Sequence, residues 1–288
     1  MHVIINPTAG NGRAGKIAAQ ILARLKERGI EYQAFHTEYP GHAEILAKQS
    51  VTANTEKVLS IGGDGTAFEV ARGLMHSQTC LGIIPAGTGN DYIKSLRLPN
   101  SPLEILDFIL SHPARPVDVG MINGKVFINV CGIGFDVSVL DYSIPAKKYV
   151  RGMLPYLWGV ICTIVHYKPS DITLRIDGEE VLSKEILVCS IANGRYIGGG
   201  MPISPASEID DGLLDVVVIR NVTRPRMISY LPGLLTGKIL TFKDTTSYKG
   251  KHVEVTAKGT MRFNVDGEIF PYEKVTLEII PDILRVFW

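Results

Sequence analysis

Val58-Leu59-Ser60-Ile61-Gly62-Gly63-Asp64-Gly65-Thr66 runs from an apolar stretch into three glycines, and Ala67, Val70, Ala71 and Leu74 then follow at helical spacing. That order reads as a buried strand, a tight turn and a helix. Glycine has no Cβ, so backbone N–H groups at such a junction can close on a phosphate at the helix N-terminus. The stretch departs from the dinucleotide fingerprint G-x-G-x-x-G because Phe68 stands where the third glycine belongs. The competing reading is a plain strand–helix turn capped by Thr66 or Asp64.

Two more apolar runs, Val3–Ile5 and Leu81–Ile84, read as buried strands and also lead into glycine-bearing loops. Between the first two strands, Ile17, Ile21, Leu22 and Leu25 mark a crossover helix over Ala14–Arg28. Gly10-Asn11-Gly12-Arg13-Ala14-Gly15-Lys16 matches seven positions of the Walker loop, but Ile17 lacks the hydroxyl that would meet Mg²⁺. The third loop is Pro85-Ala86-Gly87-Thr88-Gly89-Asn90-Asp91. Three such loops at the carboxyl ends of parallel strands converge on one crevice, the usual ligand position in an open α/β sheet.

From about Pro116 the texture changes to runs rich in Val, Ile, Phe and Thr, among them Phe127–Val130, Ile172–Ile176, Ile186–Ile191, Leu214–Ile219 and Val275–Ile280. They predict a mainly antiparallel sandwich, interrupted by helices over Gly152–Tyr167 and Arg224–Leu235. The expected fold is therefore α/β plus β: a three-layer α/β nucleotide-binding domain over 1–118 and a β-sandwich domain over 119–288. Hydrophobic residues at 45% and charged residues at 20% of the 288 positions exclude disorder, and a net charge of +1 gives no electrostatic reason for a nucleic-acid partner. Cys80, Cys131, Cys162 and Cys189 lack metal or disulfide spacing and read as reduced core thiols. The start of the chain does not read as a signal peptide and no apolar stretch is long enough to span a bilayer, so a cytoplasmic location is expected.

The sequence resembles the bacterial diacylglycerol kinase catalytic family, which includes related lipid kinases and sphingosine kinase-like enzymes. The resemblance rests on ordered motifs along the chain: Asn6-Pro7-Thr8-Ala9-Gly10, Gly62-Gly63-Asp64-Gly65-Thr66, Gly87-Thr88-Gly89-Asn90-Asp91, Val117-Asp118-Val119-Gly120, Ala192-Asn193-Gly194, Gly198-Gly199-Gly200, Asp211-Gly212-Leu213-Leu214-Asp215 and Asp266-Gly267-Glu268. It implies an N-terminal domain akin to NAD kinases and phosphofructokinases, with the segment 275–288 returning to it. It also implies ATP contacts from Asn6, Pro7, Thr8, Ala9, Gly10, Thr37, Gly63, Asp64, Gly65, Thr66, Ala67, Phe68, Glu69 and Thr88. Phe68 departs from the family, where a polar residue, commonly Asn, is usual; the departure puts in question one hydrogen bond to the nucleotide or to a residue that holds it, and is the one feature that favours altered nucleotide preference or reduced activity.

Phosphoryl transfer to an alcohol needs a held γ-phosphate, a cation and a carboxylate to take the hydroxyl proton. Asp64, Asp91 and Asp118 are the candidate Mg²⁺ carboxylates, with turn or capping roles as the alternative. Glu268 is the expected general base, although Ile176-Asp177-Gly178-Glu179 repeats the local form of Val265-Asp266-Gly267-Glu268, and only the family resemblance selects Glu268. Glu208, Asp211 and the Leu213 carbonyl resemble a second, structural metal loop, with hydrated turn residues as the alternative.

A membrane lipid as acceptor requires an interface. Lys147, Lys148, Tyr149 and Arg151 before the apolar Met153–Val165 segment, and Arg224, Arg226 and Lys238 around Leu231, Leu234 and Leu235, suit peripheral binding to an anionic inner membrane face. Both helices could equally cover the sandwich core. A homodimer is compatible with the sequence. The alternatives to a lipid kinase are an NAD kinase-like enzyme and a nucleotide-binding regulator with impaired catalysis.

Overall fold

The computed structural model describes residues 1–146, 149–150 and 154–288. Met1–Val119 with Ile280–Trp288 form one compact unit, and Gly120–Ile279 form the other.

The first unit alternates strands and helices: β1 (His2–Ile5), α1 (Arg13–Glu27), β2 (Gln33–His36), α2 (His42–Thr52), β3 (Lys57–Gly62), α3 (Asp64–Leu74), β4 (Cys80–Pro85), α4 (Pro102–Ser111) and β5 (Arg115–Ile122), which runs on into the second unit. All the pairings among β1 to β4 are parallel, in the order β2-β1-β3-β4, and Arg285–Val286 adds a further parallel segment beside Cys80–Leu81. The strand order reverses between β1 and β3. In a sheet of this kind the crevice above that reversal is where ligands bind, and Asn6 and Gly62 stand at its two rims.

The core explains why these segments were readable. Val3, Ile5, Leu59, Ile61 and Ile84 are buried with Ile21, Leu25 and Phe287 in one cluster. Strands covered on both faces carry unbroken apolar runs, whereas β2 is an exposed edge of mixed residues and gives no such signal. Ser101 starts α4 by accepting the Glu104 N–H at 3.2 Å.

The second unit contains β6 (Lys125–Phe127), β7 (Val130–Gly134), α5 (Phe135–Ala146), α6 (Leu154–His166), β8 (Ser170–Ile176), β9 (Glu179–Ala192), β10 (Tyr196–Ile197), β11 (Met201–Pro202), β12 (Leu214–Arg220), α7 (Arg224–Leu235), β13 (Thr245–Gly250), β14 (His252–Val265) and most of β15 (Glu268–Val286). The long strands β9 and β14 each pair with β8 along one half and with β7 along the other. Strands shared in this way turn the corner of a sandwich. A register shift between Thr256 and Met261 marks the bend in β14. Leu174, Ile191, Val216, Val255, Phe263 and Leu277 fill the space between the faces.

One expectation needs correction here, and one helix was not foreseen. Phe127–Val130 is not one strand: Ile128 and Asn129 leave the ladder because a carboxylate takes their N–H groups. Helix α5 had no counterpart in the sequence reading, because Phe135–Ala146 carries no clear apolar stripe.

Gly73 sits where α3 crosses α2. A Cβ there would lie 2.5 Å from the Ala47 Cβ and 2.6 Å from the Glu44 carbonyl oxygen. Gly73→Ala gains about 1 kcal/mol of helix propensity, but overpacking against backbone costs about 1–3 kcal/mol. Net destabilisation is expected in a urea titration, and a more stable variant would contradict this crossing.

Candidate active site

In the first unit, three loops are packed backbone to backbone. A Cβ on Gly10 would lie 2.1 Å from the Ala86 carbonyl oxygen, and one on Gly87 would lie 2.4 Å from the Gly63 Cα. Only glycine permits either approach. Side chains then stitch the loops together. Asn6 Nδ2 donates to Thr66 Oγ1 at 3.0 Å, while Asn6 Oδ1 accepts from the Thr8 N–H and hydroxyl. Arg13 donates to the Gly87 carbonyl at 2.7 Å, and Asn90 both accepts from and donates to the Gly87 backbone. A small cleft remains, lined by Gly62, Gly63, Asp64, Pro85, Asn90 and Tyr92. Around it Thr8, Gly65 and Thr88 are exposed.

Asp64 and Asp91 flank Gly89, whose added Cβ would lie 3.0 Å from one carboxylate and 3.4 Å from the other. Tyr92 N–H donates to Asp64 at 3.2 Å. Burial pushes the Asp64 carboxyl above its ordinary range and the Asp91 charge adds to the effect, so this pair carries negative charge that a cation would relieve. Lys94 reaches Asp91 at 3.4 Å. Asp118 stands apart in role: it is fully enclosed, and its carboxylate accepts the Asp282 N–H at 3.2 Å, which fastens the returning C-terminal segment. Among the described residues no three acids, histidines or cysteines form a metal cluster. Asp64 and Asp91 are thus two carboxylates on the two sides of Gly89, with the Lys94 ammonium beside Asp91.

Several of the expected nucleotide contacts have other work. Glu69 accepts the Gly41 and Ala43 N–H groups at 2.9 and 3.1 Å and so caps α2. Phe68 is buried with its ring edge-on to Tyr92, which makes the family departure a packing feature of this core. Ala67 is buried beside it, and Lys16 lies on the exposed side of α1. Thr37 follows β2, with its N–H on the Ile5 carbonyl.

In the second unit the two Asp-Gly-Glu segments are hairpin turns of the same form, with Asp177 at φ 49° and Asp266 at φ 49°, each followed by a positive-φ glycine. Asp177 accepts the Lys251 and His252 N–H groups. Asp266 accepts three, from Ile128, Asn129 and Val130 at 2.7, 3.1 and 3.0 Å. Beneath it Asn193 donates to the Ile128 carbonyl, and the Asn193 and Gly194 N–H groups both reach the Asn129 carbonyl. The Ala192-Asn193-Gly194 motif is thus part of the support of this turn, a role its sequence could not announce. Asn129 and Asn264 belong to the same support and were missed, since isolated asparagines carry no spacing signal. Glu268 and Glu179 are both exposed at the start of their strands.

At the expected second metal loop, Asp211 accepts the Leu213 N–H at 3.1 Å and the Lys249 ammonium at 2.7 Å, with Asp215 3.4 Å from the same nitrogen. Burial opposes the charge on Lys249, but its carboxylate partners outweigh burial and hold its pKa above the ordinary value. Glu208 is exposed. Lys249 thus supplies an internal cation to the Asp211 and Asp215 carboxylates of this loop.

Of the expected lipid-facing residues, Lys147, Lys148, Arg151 and Met153 lie outside the described residues. Leu154, Leu157, Trp158, Ile161 and Val165 form an exposed apolar stripe along α6, while Pro155, Gly159, Thr163 and Ile164 face inward. Arg224 donates to the Ile164 carbonyl and Arg226 pairs with Asp244 at 2.8 Å, so the arginines of α7 are engaged in the fold. No described helix is long and apolar enough to cross a membrane.

Residues 1–122 match the family model described as diacylglycerol kinase catalytic domain, and 129–288 match the YegS C-terminal NAD kinase beta sandwich-like domain. A diacylglycerol kinase of Bacillus subtilis is 30% identical over 96% of this chain and 93% of its own length. One from Mycobacterium tuberculosis is 28% identical over 98% and 93%. The crystal structure of a candidate diacylglycerol kinase from Bacillus anthracis has a TM-score of 0.82 at 25% identity, covering 100% of this chain and 96% of that one. An Archaeoglobus fulgidus NAD kinase solved with ATP has a TM-score of 0.55 at 16% identity, covering 100% and 93%, and is a likeness of fold alone.

The coupling of Asp64 to Asp91 is open to direct measurement. Asp91→Asn removes the like charge and leaves the burial, so the Asp64 pKa falls but stays above its ordinary value. Carboxyl NMR titration reads this, and an unmoved Asp64 would separate the two groups.

Proposed function

The chain belongs to the diacylglycerol kinase catalytic family and is an ATP-dependent lipid kinase; we propose that its acceptor is the free hydroxyl of diacylglycerol or a close relative, met at the inner face of a membrane. The observation that carries the nucleotide half is the set of three glycine loops locked together above the β1/β3 reversal, beside the Asp64–Asp91 pair. Open backbone N–H groups at the start of α3 favour an anion there. The NAD kinase alternative loses its ground, because the first 122 residues fit the diacylglycerol kinase model and the NAD kinase likeness is one of fold. The impaired-regulator alternative rested on Phe68, which packs in the core.

In this reading the loops around Asn6, Gly63, Thr66 and Thr88 bind and orient the triphosphate. Asp64 and Asp91 would hold Mg²⁺, which when bound neutralises charge developing on the phosphoryl oxygens. Asp118 serves by tying down the C-terminal segment. Glu268 takes the proton of the acceptor hydroxyl as its oxygen forms the new bond to the γ-phosphorus. The bond from that phosphorus to the bridging oxygen breaks and ADP leaves. The Asp266 carboxylate, fixed by three N–H groups, keeps the turn that presents Glu268 from drifting. Lys249 already occupies the second acidic loop, which supports a role for that loop in stability.

The Asp177 hairpin provides an internal control. General base catalysis contributes about 10²–10⁴-fold. Glu268→Gln is expected to lower lipid phosphorylation on that scale with ATP binding retained by thermal shift, while Glu179→Gln leaves both unchanged. Equal losses, or an active Glu268→Gln enzyme, would leave the C-terminal turn without a chemical role.

The apolar stripe of α6 suits insertion at a bilayer surface. Trp158 fluorescence is expected to shift to the blue on vesicles of phosphatidylglycerol, with the effect weakened by salt on the scale of a Debye length of about 8–10 Å. Leu157→Glu should abolish vesicle sedimentation without unfolding the protein. Binding that survives this substitution would move the membrane contact elsewhere.

A further inference from the structure

The Asp266–Gly267 turn has a support that the Asp177–Gly178 turn lacks. Asn264 Oδ1 accepts the Gly267 N–H at 2.8 Å, and Asn264 Nδ2 donates to Asp136 Oδ2 at 3.2 Å. The position matching Asn264 in the other hairpin is Arg175, which is exposed and pairs with Glu180 at 3.4 Å. The neighbours also fix which way the Asn264 amide points. An N–H on one side requires its oxygen, and a carboxylate on the other requires its NH₂.

Asp136 is buried in the first turn of α5, and Asn264 supplies its one side-chain hydrogen bond among the described residues. The space for it is made by Gly132, where a Cβ would lie 2.1 Å from Asp136 Oδ2. Gly132 is also the register partner of Asn264 across β7 and β14. Burying a carboxylate with a single side-chain partner, beyond the N–H groups of its own helix turn, is costly. A fold that only had to fill this corner would do better with an uncharged residue.

We propose that Asn264 and Asp136 are positioning residues for Glu268: the buried Asp136 carboxylate orients the Asn264 amide, whose oxygen holds the Gly267 N–H and so sets the turn that presents Glu268. This rests on Glu268 being the general base.

The groups around Asp136 leave it as the one that titrates near neutrality. Cys131 from β7, Cys189 from β9 and Tyr167 beyond α6 face it, and burial pushes all three up, Cys131 well above its ordinary value and Cys189 to about 12. Asp266 adjoins Cys131 and is held by its three N–H donors. Asp141 on α5 and Arg262 on β14 satisfy each other as a bidentate pair. Burial pushes Asp136 to about 6, against the Asn264 hydrogen bond and the N–H groups of Val137 and Asp136 itself, which hold it down. As pH falls through that value Asp136 takes a proton, its hold on the Asn264 NH₂ weakens, and turnover declines.

The test uses the whole chain, radiolabelled ATP and diacylglycerol in mixed micelles. A mispositioned reacting group costs up to about 10²-fold, so Asn264→Ala is expected to lower kcat by about tenfold to a hundredfold with little change in the KM for ATP. In a Glu268→Gln background the same substitution should cost nothing more, because there is no base left to position. The acid limb of kcat should move to lower pH in Asp136→Asn. It should move to higher pH in Asn264→Asp, where two carboxylates face each other and the turn keeps its acceptor. Equal losses from Asn264→Ala in both backgrounds, or an acid limb unmoved in both pH variants while Glu268→Gln is inactive, overturns the positioning role and leaves Glu268 as base. An active Glu268→Gln enzyme overturns both.

Discussion

Backbone lying directly on backbone is the constraint from which the first unit's site follows. Gly10 against the Ala86 carbonyl and Gly87 against the Gly63 Cα leave no room for a Cβ on either residue. Because the loops are in contact through their main chains, Asn6 can reach Thr66 and Arg13 can reach the Gly87 carbonyl. The same closeness brings Asp64 and Asp91 to the two sides of Gly89. Substituting Gly10 or Gly87 with a larger residue would therefore push apart the loops that carry this pair.

The nucleotide half was legible in the sequence because two separate signals coincide there. Buried parallel strands carry long apolar runs, so Val58–Ile61 and Leu81–Ile84 stood out, and each ran into glycines whose only common purpose is close approach. Where one signal was absent the reading failed. The edge strand Gln33–His36 and helix α5 have no clear periodicity, and Glu69 was read from its place in a motif when its carboxylate reaches across to cap α2. A cap supplied by another helix leaves no trace at the residue that supplies it.

The second unit shows a different limit. Asp177-Gly178-Glu179 and Asp266-Gly267-Glu268 are chemically the same phrase and fold to the same turn, so local sequence cannot rank them. What separates them is distant in the chain: Ile128, Asn129 and Val130 donating to Asp266, with Asn193 beneath, and Asn264 bound to Asp136. Such residues are single polar side chains within apolar strands. They become meaningful only when the β7, β9 and β14 registers set them side by side.

The route of β15 bears on how the protein is made. Its first part completes the sandwich beside β14, while Arg285–Val286 closes the edge of β4 and Phe287 enters the core with Val3 and Leu59. The nucleotide-binding unit thus stays unfinished until Ile280–Trp288 has been synthesised, although most of its residues leave the ribosome first. During that interval the edge of β4 is unpaired, which invites pairing with another chain.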